Sequence, residues 1–199
     1  MSSKPRFTRE QLQSSSLELI DTEGLRAFSV RSLAAKLGTG PMTIYNYVRD
    51  RDELDALVAD AVIAEMHQPR LRGDWQHDVR AIVTALWVVV RKHPNVIPLL
   101  LTRRSREEEA FAPVEALLQA LASSGRSGKQ LLVAFNTLKG FVFGLAQSHL
   151  AGPFSSELLP LPAQRFPRLG EMRKLSSSVD PEYEFRSGLD IVMAGLAGG

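Results

Sequence analysis

Twice before residue 40 the chain sets a hydroxyl residue ahead of an apolar run of helical period and closes that run with a glycine: Thr8 to Gly24, then Ser29 to Gly38. No other feature narrows the choice of fold as much. A threonine or serine at a helix start accepts N–H groups that no preceding turn can satisfy. A glycine just past the end takes the positive φ that a side chain resists. Thr8 with Gln11 reads as a capping box, so a first helix is expected from Arg9 to Glu23, with Leu12, Leu19 and Ile20 inward. Ser29 should open a short second helix carrying Val30, Leu33, Ala34 and Leu37 on one side. Pro41 suits a first helical position, where its missing N–H would be unpaired anyway, and starts a third helix to Tyr47. Asp50 and Glu53 form another capping box, opening a fourth helix to about His67. Its inward positions are Leu54, Leu57, Val58, Ala61, Val62 and Met66.

The same period continues downstream. Trp75 to Lys92 is apolar almost all round near Ala85 to Val90, as a centrally buried helix would be. Pro94 and Pro98 punctuate a short sixth helix, and Glu107 to Ala122 and Lys129 to His149 read as two more. Residues 152–178, rich in proline and serine, look loop-like or partly helical, as a lid or a connector would. Asp180 and Pro181 open a last helix with Leu189, Ile191, Val192 and Leu196. No stretch alternates like a strand, so the expected fold is all-α, with about nine or ten helices.

Composition sets outer limits. With 199 residues, 44% of them hydrophobic, the chain can bury a globular core. The net charge of +2 does not argue for nucleic acid, but its distribution leans that way. Lys4, Arg6, Arg9, Arg26, Arg31, Lys36, Arg49 and Arg51 fall early, where acids are fewer. The absence of cysteine excludes disulfides and thiolate metal sites and fits a reducing cytoplasm. The start lacks the apolar stretch of a secretion signal. Arg91, Asn136 and Lys139 interrupt the apolar runs, so no membrane partner is expected. The histidines at 67, 77, 93 and 149 lack metal-ligand spacing, and no nucleophile motif or phosphate-cradling glycine loop stands out.

Two short helices joined through Gly38 describe a helix-turn-helix. The segment that follows exposes Thr39, Met42, Thr43, Tyr45, Asn46 and Tyr47, groups able to reach base edges or phosphates, while Ile44 and Val48 face inward. From spacing alone, a plain three-helix bundle remains open. So do a helical protein-interaction module without DNA binding and a small helical hydrolase.

The residues from Ile20 to Gly38 and from Pro41 to Leu54 resemble the DNA-binding domain of the TetR family of regulators. Gly24, Leu33, Ala34, Leu37, Gly38, Ile44, Tyr45 and Val48 carry the match. The tail from Phe185 to Leu196 is similar to the final helix of members close to the tetracycline repressor. The resemblance implies a ligand-responsive repressor, a homodimer whose two third helices enter successive major grooves of a near-palindromic operator. It places Arg31 and the segment Thr39, Gly40, Pro41 to Tyr47 against DNA. Tyr45, Tyr47 and Arg51 would hold phosphates, while Met42, Thr43 and Asn46 would carry sequence choice. It implies a head of residues 1–51, a connecting helix of 52–67 and a ligand-binding and dimerisation body of 68–199.

The resemblance also implies an effector pocket, with Met66, His67, Trp87, Leu100, Arg104, Phe135, Lys139, Phe143 and Gln147 as candidate lining. Each has a plainer alternative: Trp87, Phe135 and Phe143 as core, His67 as a helix-end residue, Arg104 as part of a solvated charged face. The tetracycline repressors hold a drug–magnesium complex through polar and histidine ligands, at positions that here align with Met66, Ile82 and Leu100. Aliphatic carbon cannot coordinate a metal, so no metal or cofactor is expected and the effector should be largely apolar. The helix from Lys129 to His149 and the last helix should build the dimer interface, with Gly140, Gly144 and Ala146 allowing close approach or serving as core within one subunit.

Overall fold

Side-chain caps start the early helices where the sequence puts them. In the computed structural model, which describes residues 7–102, 108–151, 165–176 and 178–198, Thr8 Oγ1 accepts the Gln11 N–H at 3.2 Å and Gln11 Oε1 accepts the Thr8 N–H at 2.8 Å. The first helix, α1, runs Arg9–Glu23 and ends at Gly24, whose φ is +82°. Ser29 and Ser32 repeat the box with serine at both corners and open α2, Val30–Lys36. Gly38, at φ +61°, makes the turn to α3, Pro41–Ile44, and tighter turns carry the chain on to Tyr47.

Asp50 Oδ1 accepts the Glu53 N–H at 2.8 Å and starts α4, Arg51–Ala64. The expected reciprocal bond does not form. Glu53 Oε2 takes the Arg49 N–H and Nε instead, because the arginine, one residue ahead of the cap, offers it two donors. The helix stops before His67, and Pro69 keeps the preceding residue out of helical geometry.

Asp74 caps α5, Trp75–Lys92. A short 3₁₀ turn, Pro94–Val96, leads into α6, Ile97–Thr102. A second 3₁₀ turn, Glu108–Phe111, precedes α7, Ala112–Ala122. One helix was expected from Glu107, a residue outside those described. Pro113 instead occupies the first turn of α7, where its missing N–H does no harm, and the chain ahead takes a tighter form. The remaining helices are α8, Gly128–Ala151, α9, Pro167–Ser176, and α10, Pro181–Gly198. Among the described residues these are the ten α-helices, and no strand occurs. Of the proline- and serine-rich segment, the described part holds α9, while residues 152–164 and 177 lie outside.

A single apolar cluster runs through both halves. In the head, Leu12, Ile20, Phe28, Leu33, Ile44 and Val48 pack against Leu54 and Leu57 of α4. In the body, α5 packs against α4, α7 and α8, and α10 lies against α8. The α8–α10 crossing is close: a Cβ built on Gly188 would stand 2.6 Å from Phe141 Cε2. By length and composition α8 is the one helix among those described that could cross a membrane, despite Asn136 and Lys139. Here Ala134, Leu138, Val142 and Ala146 are buried against the neighbouring helices.

Candidate nucleic-acid interface and ligand chamber

The tip of the head is built from α2, the Gly38 turn and α3. Ile44 and Val48 anchor it in the core, which forces the residues between and before them outward. Arg31, Gly40, Pro41, Met42, Tyr45 and Asn46 are exposed, Met42 at 75%. Thr39 and Thr43 are half-buried and share a hydroxyl–hydroxyl bond of 2.9 Å. Tyr47 is half-buried, and its hydroxyl accepts the Phe7 N–H at 2.7 Å, which leaves its own proton to donate outward. These residues share one end of the head.

Arg51, expected as a phosphate clamp, is held by contacts within the head, and its side chain keeps 41% exposure. Its Nε donates to Asp55 Oδ1 at 2.6 Å, its Nη1 donates to the Phe28 carbonyl at 2.5 Å, and the guanidinium lies 4.8 Å from the Phe28 ring centroid. Asp55 is buried and one turn further along α4, so Arg51 answers that charge and ties α4 to the loop before α2.

The body and α4 together surround a partly open chamber of about 580 Å³. Ala59, Asp60 and Ile63 of α4, with Met66 beyond it, form one wall, and Ile82, Val83 and Leu86 of α5 form the next. Leu100 of α6 and the Ala110–Leu117 stretch, including Phe111, close a third side. From α8 come Phe135, Leu138, Lys139, Val142 and Phe143, which recur every three or four residues and so form one stripe. A neighbouring cleft shares Asp60, Ile63, Met66 and Ala110 with the chamber and reaches Arg9 and Gln13 of the head.

Five of the expected lining residues thus come together: Met66, Leu100, Phe135, Lys139 and Phe143. Three do not. Trp87 is fully buried, but its indole stacks on Phe185 with centroids 4.7 Å apart, and its Nε1 donates to Glu182 Oε2 at 3.2 Å. It belongs to the α5–α10 contact. His67 is exposed beyond the end of α4, and Gln147 lies exposed on the outer side of α8. Arg104 lies outside the described residues. The reading of the sequence missed Asp60, Phe111 and most of the α4 and α7 wall. Asp60 left a signal, a carboxylate inside the otherwise apolar run from Ala56 to Val62.

Head and body meet at a polar joint. His93, 4% exposed, turns Nδ1 to Asp21 Oδ2 on α1 at 2.7 Å and Nε2 to Glu65 Oε2 at the end of α4 at 3.2 Å. Lys92 Nζ donates to the same Glu65 oxygen at 2.5 Å, and Asn95 Nδ2 donates to the Ile20 carbonyl at 3.2 Å. Burial pushes the Glu65 carboxyl up, but hydrogen bonds from Lys92 and His93 outweigh it and hold it below the ordinary carboxylate range. Before α5, Asp78 is held low by the Arg72 N–H, the His77 ring and the Gly73 N–H, against the opposing effect of burial.

The outer side of α8 and α10 carries apolar and small residues. Val133, Gly140, Gly144 and Gln147 are exposed along α8, and Ile191 is 75% exposed on α10. Ala146, expected with the two glycines, faces inward instead.

A helix-turn-helix head fused through α4 to a hollow helical body is the build of a DNA-binding regulator that carries its own ligand chamber. Residues 68–198 match the family model for the tetracyclin repressor-like C-terminal domain. The chain is 30% identical over 149 residues to the HTH-type transcriptional repressor DrrR1 of Streptomyces coeruleorubidus, covering 74% of this chain and 55% of that one. It thus spans little more than half the length of that relative. It is 26% identical over 200 residues to the class D tetracycline repressor protein of Escherichia coli, covering 96% and 89%. Among solved structures, the Streptomyces coelicolor TetR family protein ActR in complex with (S)-DNPA superposes with a TM-score of 0.79 at 30% identity, covering 99% of this chain and 100% of that one. ActR in complex with actinorhodin gives a TM-score of 0.75 at 29% identity, covering 97% and 98%. The chain belongs to the TetR family of transcriptional regulators.

Proposed function

We propose that the protein is a homodimeric repressor, held on a palindromic operator by its two heads and released when a small, largely apolar effector fills the body. The observation that carries this is the sharing of α4. One side of that helix closes the core of the head, through Leu54 and Leu57, while Ala59, Asp60 and Ile63 wall the chamber. A ligand that seats better with one placement of α4 than with another shifts the placement of the head, and by linkage the affinity for DNA.

In this mechanism the head is residues 1–51, α4 and its extension to residue 67 are the lever, and residues 68–199 sense and dimerise. Arg31, Tyr45 and Tyr47 position the head on phosphates, and Thr43 and Asn46 read base edges in the major groove, with Met42 against a methyl group or sugar. Arg51 acts indirectly, by bracing the loop that presents α2. The exposed faces of α8 and α10 pair with their copies in a second subunit, which sets two heads at a fixed separation. The complexes of ActR with (S)-DNPA and actinorhodin support a small organic ligand for a body of this shape.

Selection of bound duplexes from a random library tests the reading. The expected product is an inverted repeat whose half-sites lie about a helical turn or more apart. Recovery of no preferred sequence, or of an unrepeated one, would contradict it.

A further inference from the structure

The chamber wall is apolar apart from two ionisable side chains, and they stand on different helices. Asp60 of α4 is 4% exposed, whereas Lys139 of α8 is half-buried. The Lys139 ammonium lies 5.5 Å from the centroid of the Phe135 ring. That cation–π contact occupies one side of the ammonium. Among the described residues no carboxylate pairs with it.

Lys139 lines the chamber and is partly buried, so a ligand seated there displaces water from around its side chain. A neutral apolar ligand that does so leaves the cation with fewer acceptors, which is costly. A ligand with an anionic oxygen at that point restores the lost solvation through a charge-assisted hydrogen bond. Phe111, Phe135 and Phe143 present ring surface to the same space, which favours a flat aromatic body. We propose that the effector is an aromatic carboxylic acid, with its carboxylate on Lys139 and its rings among the phenylalanines. Lys139 is then the specificity-determining residue of the chamber. This rests on the chamber being the effector site.

The test uses the full chain, titrated calorimetrically with 2-naphthoic acid and with its neutral isostere 2-naphthamide. The acid is expected to bind tighter by at least about tenfold, the worth of one charge-assisted bond. Lys139→Met should abolish that preference while the amide still binds, and Lys139→Arg should keep it. Equal binding of the two compounds by the parent protein, a preference that survives Lys139→Met, or binding of neither compound overturns the inference. Leu86→Trp and, at the rim, Ala110→Trp add bulk to the chamber and separate the two ideas. If both compounds still bind these variants unchanged, the chamber is not the site and the effector reading falls with the inference. If the bulky variants lose both compounds but the parent shows no preference, the chamber stands and only the role of Lys139 falls.

Discussion

The head and the body solve opposite packing problems with the same kind of helix. In the head, capped helices converge until Ile20, Leu33, Ile44 and Val48 are buried. In the body, longer helices bury Val79, Trp87, Val90 and Leu121 yet stay apart around a chamber of about 580 Å³. A filled core fixes one arrangement, as a presenting surface must, because interiors at crystal-like density do not deform gradually. An unfilled one leaves binding energy unspent, so a ligand that fits adds to the stability of the conformation it prefers. In the proposed function, what is rigid reads DNA and what is hollow responds.

The contrast should appear first in stability. Ile44→Ala is expected to destabilise the fold by about 2–5 kcal/mol in urea titrations, since a buried methyl-rich side chain leaves a cavity behind. Leu100→Ala, which only widens an existing chamber, should fall short of that range. Equal losses would erase the distinction. The next effect belongs to the α8–α10 crossing. Gly188→Ala drives a methyl into Phe141 and should lower stability by about 1–3 kcal/mol, with weaker self-association in sedimentation runs. At the joint, His93→Ala removes the partner of Asp21 and Glu65 and should lower stability by about 1–3 kcal/mol, while making DNA affinity less responsive to effector.

Smaller effects sharpen the picture of the head. Arg31→Ala should reduce the slope of log affinity against log salt by about one, the signature of one phosphate contact. Arg51→Ala should instead lower the melting temperature, because its guanidinium serves Asp55 and Phe28. Anisotropy titrations across a salt series distinguish the two. The pH dependence should be modest and of one sign. The folded-state pKa values of Glu65 and Asp78 lie below their unfolded values, so both contribute stability above the ordinary carboxylate range. That contribution disappears as pH falls through the lowered values. Melting temperatures between pH 7 and pH 3, compared with those of Glu65→Gln, should converge at the acid end.

The head was legible in the sequence because its determinants are local. Thr8 and Gln11, Ser29, Gly38 and Pro41 act within a turn of where they stand, and α1 begins and ends where they imply. The chamber was most legible on α8, where Phe135, Lys139 and Phe143 share one stripe, while Met66 and Leu100 were the only expected residues found on its other walls. Helical period tells which side of α5 is inward but not what lies there. Trp87 therefore looked like lining, and meets Phe185 instead. Phe111 escaped notice because a 3₁₀ turn, not a helix, carries it. The bonds of Arg51 to Asp55 and to the Phe28 carbonyl were not legible, because the second joins residues 23 apart in the chain.

The most direct test of head–body coupling is the affinity for a selected duplex, measured with and without a compound that raises the melting temperature. The compound should release the duplex from the parent protein and leave Leu86→Trp, with its chamber obstructed, on DNA. Equal release from both proteins, or a stabilised parent that keeps its full hold on the duplex, would contradict the coupling.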